Sequence, residues 1–113
     1  MVHVQAEAGI CGFTTRITVA SIDKQRVRLD IDSQCPNLKP LKEELQSVDG
    51  FAEVFANVGE SPLYEIVKKH CKHAACPVPV AIIKGIEVEC GLALPKEVKI
   101  TIVKEPERSR PEL

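Results

Sequence analysis

Two histidines and two cysteines lie within seven consecutive residues of this chain: His70, Cys71, His73 and Cys76. Imidazole nitrogen and thiolate sulfur are the protein ligands that zinc ions and iron–sulfur clusters take. A histidine can also activate a neighbouring thiol, which makes a cysteine beside it a candidate nucleophile. The segment is therefore predicted to bind metal or to react through a thiolate.

An apolar run follows this cluster and carries helix signals at both ends. Pro77 and Pro79 open it and Gly91 lies just past its end, as is common in the first turn and after the last turn of a helix. Apolar side chains cover most of its circumference, which predicts a largely buried helix over 79–90. Cys76 would then precede the helix N-terminus, where unpaired N–H groups and the helix dipole favour a thiolate.

Two more cysteines lie in loops that a sheet would bring together. Cys11 stands in a loop flanked by glycines, and Cys35 follows a strand-like segment. Alternating apolar residues predict strands over 2–8, 14–22 and 26–32, joined by connections short enough for an antiparallel meander. The loop after the first strand and the exit of the third strand lie at the same end of a meander. We therefore expect Cys11 and Cys35 to be neighbours.

Between the third strand and the cysteine cluster, apolar residues recur at helical spacing. Three stripes are visible: Leu38, Leu41, Leu45 and Val48, then Phe51, Val54, Phe55 and Val58, then Leu63, Ile66 and Val67. Asn37 can cap the first helix, and Ser61 followed by Pro62 is a start signal for the third. The sequence therefore predicts three helices in this region.

Near the C-terminus, Val98, Ile100 and Ile102 alternate with polar residues, which predicts a fourth strand over 97–103. The predicted fold class is α+β, with a three-stranded antiparallel meander plus this C-terminal strand and with helices packed on one face. We expect a single domain over residues 1–104. Residues 105–113 are charged and proline-containing, and they are predicted to form a flexible tail.

Composition narrows the classes of function. The chain has 113 residues, 44% hydrophobic and 27% charged, with a net charge of −1, which disfavours nucleic acid or an anionic membrane as a required partner. Neither a signal peptide nor an apolar run of roughly 18 residues is visible, so we expect a cytoplasmic protein. Five cysteines, an odd number, are then expected to be reduced or metal-bound rather than paired as disulfides.

The predicted metal ligands come from three places in the fold. They are Cys11, Cys35, Cys71, His73 and Cys76, with His70 as a further candidate for the position that completes the site. Together they would hold an iron–sulfur cluster or a zinc ion. Cys90 is not included, because a helix over 79–90 would place it roughly 16 Å from the helix start, at about 1.5 Å per residue.

This layout resembles the iron–sulfur cluster scaffolds of the NifU/IscU type. The resemblance rests on Cys11 within Gly-Ile-Cys-Gly, on Cys35 after the third strand, and on the His70-Cys71 pair or the His73 and Cys76 pair before a late helix. It implies that these residues bind an iron–sulfur cluster. The sequence departs from that family at Phe13, where the family has Asp. The motifs AGICGFTT and KHAACPVP are also similar to those of small uncharacterised proteins from anaerobic microbes.

Three functions remain open at this point. The first is a metal or iron–sulfur binding protein that acts as a scaffold, carrier or sensor without turnover, with other iron–sulfur or redox proteins as partners. The second is a sulfur or acyl carrier enzyme with Cys76 as the nucleophile. The third is a structural domain in which a zinc site or buried cysteines hold loops together. The absence of an obvious acid–base pair favours binding over catalysis, and the oligomeric state stays open.

Overall fold

Three strands with alternating apolar residues form an antiparallel meander, as the sequence predicts. In the computed structural model, which describes residues 1–106, these strands are β1 (Val2–Glu7), β2 (Thr14–Ser21) and β3 (Arg26–Ser33). The β2–β3 turn is fixed by Asp23, whose carboxylate accepts the N–H groups of Gln25 and Arg26, as an aspartate commonly does in a turn. The α+β fold class is confirmed.

The fourth strand is not the predicted one. It is β4 (Ser47–Asp49), which pairs antiparallel with β3 and completes a sheet of order β1-β2-β3-β4. The helix predicted from the first apolar stripe is correspondingly reduced to α1 (Leu41–Glu44). Residues 47–49 gain strand hydrogen bonds by joining the open edge of β3, and this tertiary pairing overrides the helical spacing of Leu45 and Val48.

The strand predicted over 97–103 does not form in the described structure. Residues 95–106 carry no regular secondary structure, and the side chains of Val98, Ile100 and Ile102 are exposed. The alternation of apolar and polar residues predicts which side chains share a face. A strand must also pair with the edge of another strand, and residues 97–103 pair with no strand of the described sheet. Most of the predicted tail, residues 107–113, lies outside the described residues.

Three further helices follow: α2 (Gly50–Val54), α3 (Leu63–Val67) and α4 (Val78–Glu89). Helices α2 and α4 pack against the sheet, and α3 packs against α1 and α4. The bounds of α4 agree with the predicted helix to within one residue. The helix predicted from the second apolar stripe was wrong for its last residues, because the side chains of Phe55 and Val58 are exposed. The helix there ends at Val54, so their spacing no longer places them on a buried face.

The longest helix, α4, packs directly against β1 and β2. Gly85 permits the close approach, since a Cβ at this position would lie 2.8 Å from Val4 Cγ2 and 3.1 Å from Val19 Cγ2. At the C-terminal end of the helix, Glu89 accepts hydrogen bonds from the N–H and hydroxyl of Ser21, each at 2.8 Å. The N-terminus of α4 therefore lies at the opposite end of the sheet, where β3 ends.

Among residues 1–106, no helix has the length and apolar character needed to span a membrane.

Candidate metal centre

Cys35 is held in a defined turn at the exit of β3. The Ser33 hydroxyl accepts the backbone N–H of Cys35 at 3.1 Å and is itself hydrogen-bonded to Thr15 Oγ1 at 2.7 Å. The carbonyl of Cys35 accepts the N–H groups of Leu38 and Lys39. Because Ser33 and Thr15 are buried, this polar pair fixes the direction in which the chain leaves the sheet, and with it the position of Cys35.

Cys71 and Cys76 bracket the turn between α3 and α4. The N–H of Cys71 donates to Val67 at 2.8 Å, which continues the last turn of α3. The backbone carbonyl of His73 then accepts two hydrogen bonds, from the Cys71 thiol at 3.5 Å and from the Cys76 N–H at 3.1 Å. This shared acceptor folds the segment so that both cysteines lie on the core side.

The structure places two of the predicted ligands, Cys35 and Cys71, close enough to a third, Cys76, to affect its pKa. All three are half-buried and pack against the hydrophobic core. Burial raises the pKa of Cys76 to about 11; a hydrogen bond with the Cys71 thiol and repulsion from the charges of Cys71 and Cys35 add to the increase. Sulfurs from two separate segments therefore interact electrostatically.

The prediction that Cys76 is a reactive thiolate was wrong for the metal-free protein. The N–H of Val78, in the first turn of α4, does lower the pKa of Cys76, as the helix position predicts. Desolvation is the larger effect and reverses the direction, because burial disfavours the charged form of a thiol. Cys76 is accordingly a protonated thiol at neutral pH.

Cys11 lies at the same end of the sheet but at its surface. The β1–β2 loop and the β3 exit are joined by two hydrogen bonds: Gln34 N–H donates to the Thr14 carbonyl, and Thr14 N–H donates to Gln34 Oε1, each at 3.0 Å. The meander thus places the two loops side by side, as predicted. The Cys11 side chain is exposed, whereas Cys35 is half-buried, and the imidazole of His73 is exposed as well.

His70, the further candidate ligand, and Cys90, which was not expected to be a ligand, have other neighbours. His70 Nε2 lies 2.5 Å from Oε2 of Glu44 on α1, so the imidazole of His70 already pairs with a carboxylate. Cys90 lies at the far end of the sheet, as predicted: a Cβ on Gly50 would lie 2.5 Å from Cys90 Sγ and 2.9 Å from the carbonyl of Gln25. Cys90 is therefore far from the three thiols, whereas His70 directly precedes Cys71 in the chain.

Within residues 1–106, no three His, Cys, Asp or Glu side chains are arranged as a ready metal site. The donor set itself suits zinc or an iron–sulfur cluster, which take three or four thiolate or imidazole ligands at about 2.0–2.3 Å. Cys35, Cys71 and Cys76 supply three thiols, and Cys11 and His73 lie on exposed loops beside them. Binding would therefore require local rotation of side chains in the 71–76 turn.

A family of unknown function (DUF6951) matches residues 2–102. The chain belongs to this family. The matched span contains every strand and helix described above, together with all five cysteines. No curated protein and no solved structure matches the chain. The resemblance to NifU/IscU-type scaffolds thus stays a prediction.

Sequence reasoning missed one buried ionisable residue, Glu53 on α2. Its side chain is 3% exposed, and Oε2 accepts the N–H of Leu63 at 3.0 Å, at the start of α3. Burial raises the pKa of Glu53, although hydrogen bonds from Leu63 and Ser61 act in the opposite direction. Apolar spacing could not reveal it, because a glutamate between Phe51 and Val54 reads as a solvent-facing residue.

Proposed function

We propose that this protein binds a zinc ion or an iron–sulfur cluster through Cys35, Cys71 and Cys76, with Cys11 or His73 as the fourth ligand. It would act as a scaffold, carrier or sensor rather than as an enzyme. The observation that carries the proposal is the meeting of three half-buried thiols from two separate segments at the end of the sheet. A single buried cysteine is common in a protein core, but two further thiols that both act on Cys76 are not explained by core packing alone.

The electrostatics of the thiols support this proposal. Cys71 and Cys35 both oppose ionisation of Cys76 in the metal-free protein. A bound cation would reverse that effect, because positive charge among the sulfurs stabilises all three thiolates. The three cysteines are therefore poorly suited to remain as bare thiolates, and they would release their protons to solvent when a metal binds the sulfurs.

The exposed fourth ligand suits a protein that passes its metal on. Cys11 lies in a turn where Gly9 and Gly12 have φ of 91° and 75°, a conformation that glycine adopts without strain. Its thiol is accessible to solvent, as is the imidazole of His73. A partner protein could replace such a ligand more easily than a half-buried one. Other iron–sulfur or redox proteins are the proposed partners.

A cytoplasmic location follows as part of the same proposal. All five cysteines are free thiols in the structure, and reduced cysteines persist in compartments where glutathione and thioredoxin operate.

The alternative of a thiolate enzyme has less support. A nucleophilic cysteine requires a substantial thiolate fraction near neutral pH, but the pKa of Cys76 is raised to about 11. The imidazole of His73, the histidine three residues before Cys76, is exposed at the surface.

The test uses full-length protein purified without oxygen and with reductant. Its metal and sulfide contents and its absorption spectrum would be measured first, and the metal-free protein would then be titrated with Co²⁺ and Zn²⁺. We expect tight binding with sulfur-to-cobalt charge-transfer absorption, strongly reduced in Cys35→Ser, Cys71→Ser and Cys76→Ser. Cys90→Ser is the matched control, since it removes a half-buried thiol at the opposite end of the sheet.

Two results would contradict the proposal. One is the absence of Co²⁺, Zn²⁺ and cluster binding in the wild-type protein. The other is equal binding in all four serine variants. Comparing Cys11→Ser with His73→Ala then identifies the fourth ligand, because only the variant that lacks it should bind more weakly.

A further inference from the structure

Residues 98–103 have the side-chain pattern of a strand but no regular secondary structure. Val98, Ile100 and Ile102 alternate with Lys99 and Thr101, and these three apolar side chains are 55%, 74% and 88% exposed. Such alternation gives a strand one apolar and one polar face. The segment thus has the composition of a sheet strand but stands in solvent in the described structure.

The first strand, β1, is an edge with an incomplete apolar face. Its backbone pairs with β2 on one side only. Val2 and Val4 are only half-buried, whereas Ile17 and Val19 on β2 are at most 1% exposed. An open edge of this kind presents unpaired N–H and C=O groups to which another strand can add. One further strand beside β1 would complete both its hydrogen bonding and its apolar face.

Residues 98–103 and the β1 edge match in length, in apolar side chains and in charge. β1 has six residues, whereas β4, the other edge strand, has three. Residues 98–103 would extend the apolar face of β1 with their own apolar side chains. On the opposite face, β1 exposes Glu7 and the segment carries Lys99, so these two charges are complementary.

We propose that residues 98–103 of one copy of this chain add as a fifth strand to the β1 edge of a second copy. When each copy adds its segment to the other, the result is a twofold-symmetric dimer in which the β1 edge of both copies is paired. The second copy is the occupant because the segment and β1 of the same chain, both present in the structure, do not pair. The family match runs from residue 2 to residue 102, so it includes β1 and all of the segment except residue 103.

The first test measures the oligomeric state of the full chain by sedimentation velocity, with a chelator and reductant present so that metal binding plays no part. We expect a dimer for the wild-type protein and a monomer for Ile100→Asp. Val58→Asp is the matched control, because Val58 is also an exposed aliphatic residue, at 99%, but lies outside the proposed contact. Far-ultraviolet circular dichroism confirms that each variant is folded.

A second test locates the contact by hydrogen exchange read out by mass spectrometry. We expect exchange in both 98–103 and β1 to slow as the protein concentration rises, and no such concentration dependence for Ile100→Asp. A wild-type monomer would overturn the proposal; slow exchange in its segment would then indicate pairing with its own β1. A dimer that survives in Ile100→Asp would also overturn it, since its interface would lie elsewhere.

Discussion

Cys71 and Cys76 share one hydrogen-bond acceptor, the backbone carbonyl oxygen of His73. The Cys71 thiol donates to it at 3.5 Å and the Cys76 N–H at 3.1 Å. Because the acceptor is a backbone atom, the side chain of His73 is not needed for this turn. The geometry of the thiols and the ligand role of the imidazole can therefore be separated by mutation.

The first prediction concerns His73→Ala in the metal-free protein. We expect unchanged circular dichroism and an unchanged rate of alkylation at Cys76, because the alanine carbonyl accepts the same two hydrogen bonds. Peptide mass spectrometry over a time course measures the rate. Faster alkylation of Cys76 in this variant would show that the imidazole helps to hold the turn.

The second prediction ranks the thiols of the wild-type protein. With iodoacetamide near pH 8 and no metal, Cys11 should be modified first because it is exposed. Cys76 should be modified last, since burial holds its pKa at about 11 and the reacting species is the thiolate.

Added zinc should then protect Cys35, Cys71 and Cys76 together and leave the alkylation rate of Cys90 unchanged. Alkylation in denaturant supplies the reference, in which all five sites should react at similar rates. Protection of Cys90 by zinc would show that the metal binds elsewhere.

The sequence predicts those features of the site that depend on local periodicity, and it fails for those that depend on tertiary packing. The three meander strands and α4 follow from local periodicity, and with them the shared end of the sheet where Cys35 and Cys76 lie. The protonation of Cys76 was predicted in the wrong direction. Its position before a helix is a local property, whereas its burial depends on packing against residues distant in the chain.

The C-terminal strand illustrates the same limit. The alternation of Val98, Ile100 and Ile102 is clear, but no pattern within one segment states which edge will pair with it. In the described structure the edge of β3 is taken by β4 and the edge of β1 stays open. The pattern therefore predicted a strand that the single chain does not form.

The third prediction concerns the pH dependence contributed by Glu53. Its pKa is raised from 4.5 by burial, so the folded state binds this proton more tightly than the unfolded state does. The stabilisation is fully present below about pH 4.5 and is lost as the pH rises through the folded pKa. Relative to Glu53→Gln, which carries no charge, the wild-type protein should become progressively less stable as the pH rises from about 4.5 through the raised pKa of folded Glu53.

Urea unfolding of both proteins across this pH range measures the difference. Glu53→Ala is the companion variant: it also removes the charge, but it leaves the N–H of Leu63 without its acceptor, which costs about 1–3 kcal/mol. Glutamine should therefore be the more stable of the two replacements. A difference between wild type and Glu53→Gln that does not change with pH would contradict the predicted pKa direction.

The fourth prediction tests the contact between α4 and the sheet. Gly85→Ala would normally stabilise a helix by up to about 1 kcal/mol. Here the added Cβ would lie 2.8 Å from Val4 Cγ2 and 3.1 Å from Val19 Cγ2, and overpacking of a well-filled core typically costs about 1–3 kcal/mol. We expect a net loss of about 1 kcal/mol in the free energy of unfolding, measured by urea denaturation.

The double variant Gly85→Ala with Val4→Ala identifies the cause of that loss. Truncating Val4 removes the nearest atom to the new methyl group, so the double variant should be more stable than the sum of the two single changes predicts. Additive effects would mean that the helix shifts away from the sheet instead of clashing with Val4. A Gly85→Ala variant more stable than the wild type would show that α4 does not approach β1 as closely as this packing requires.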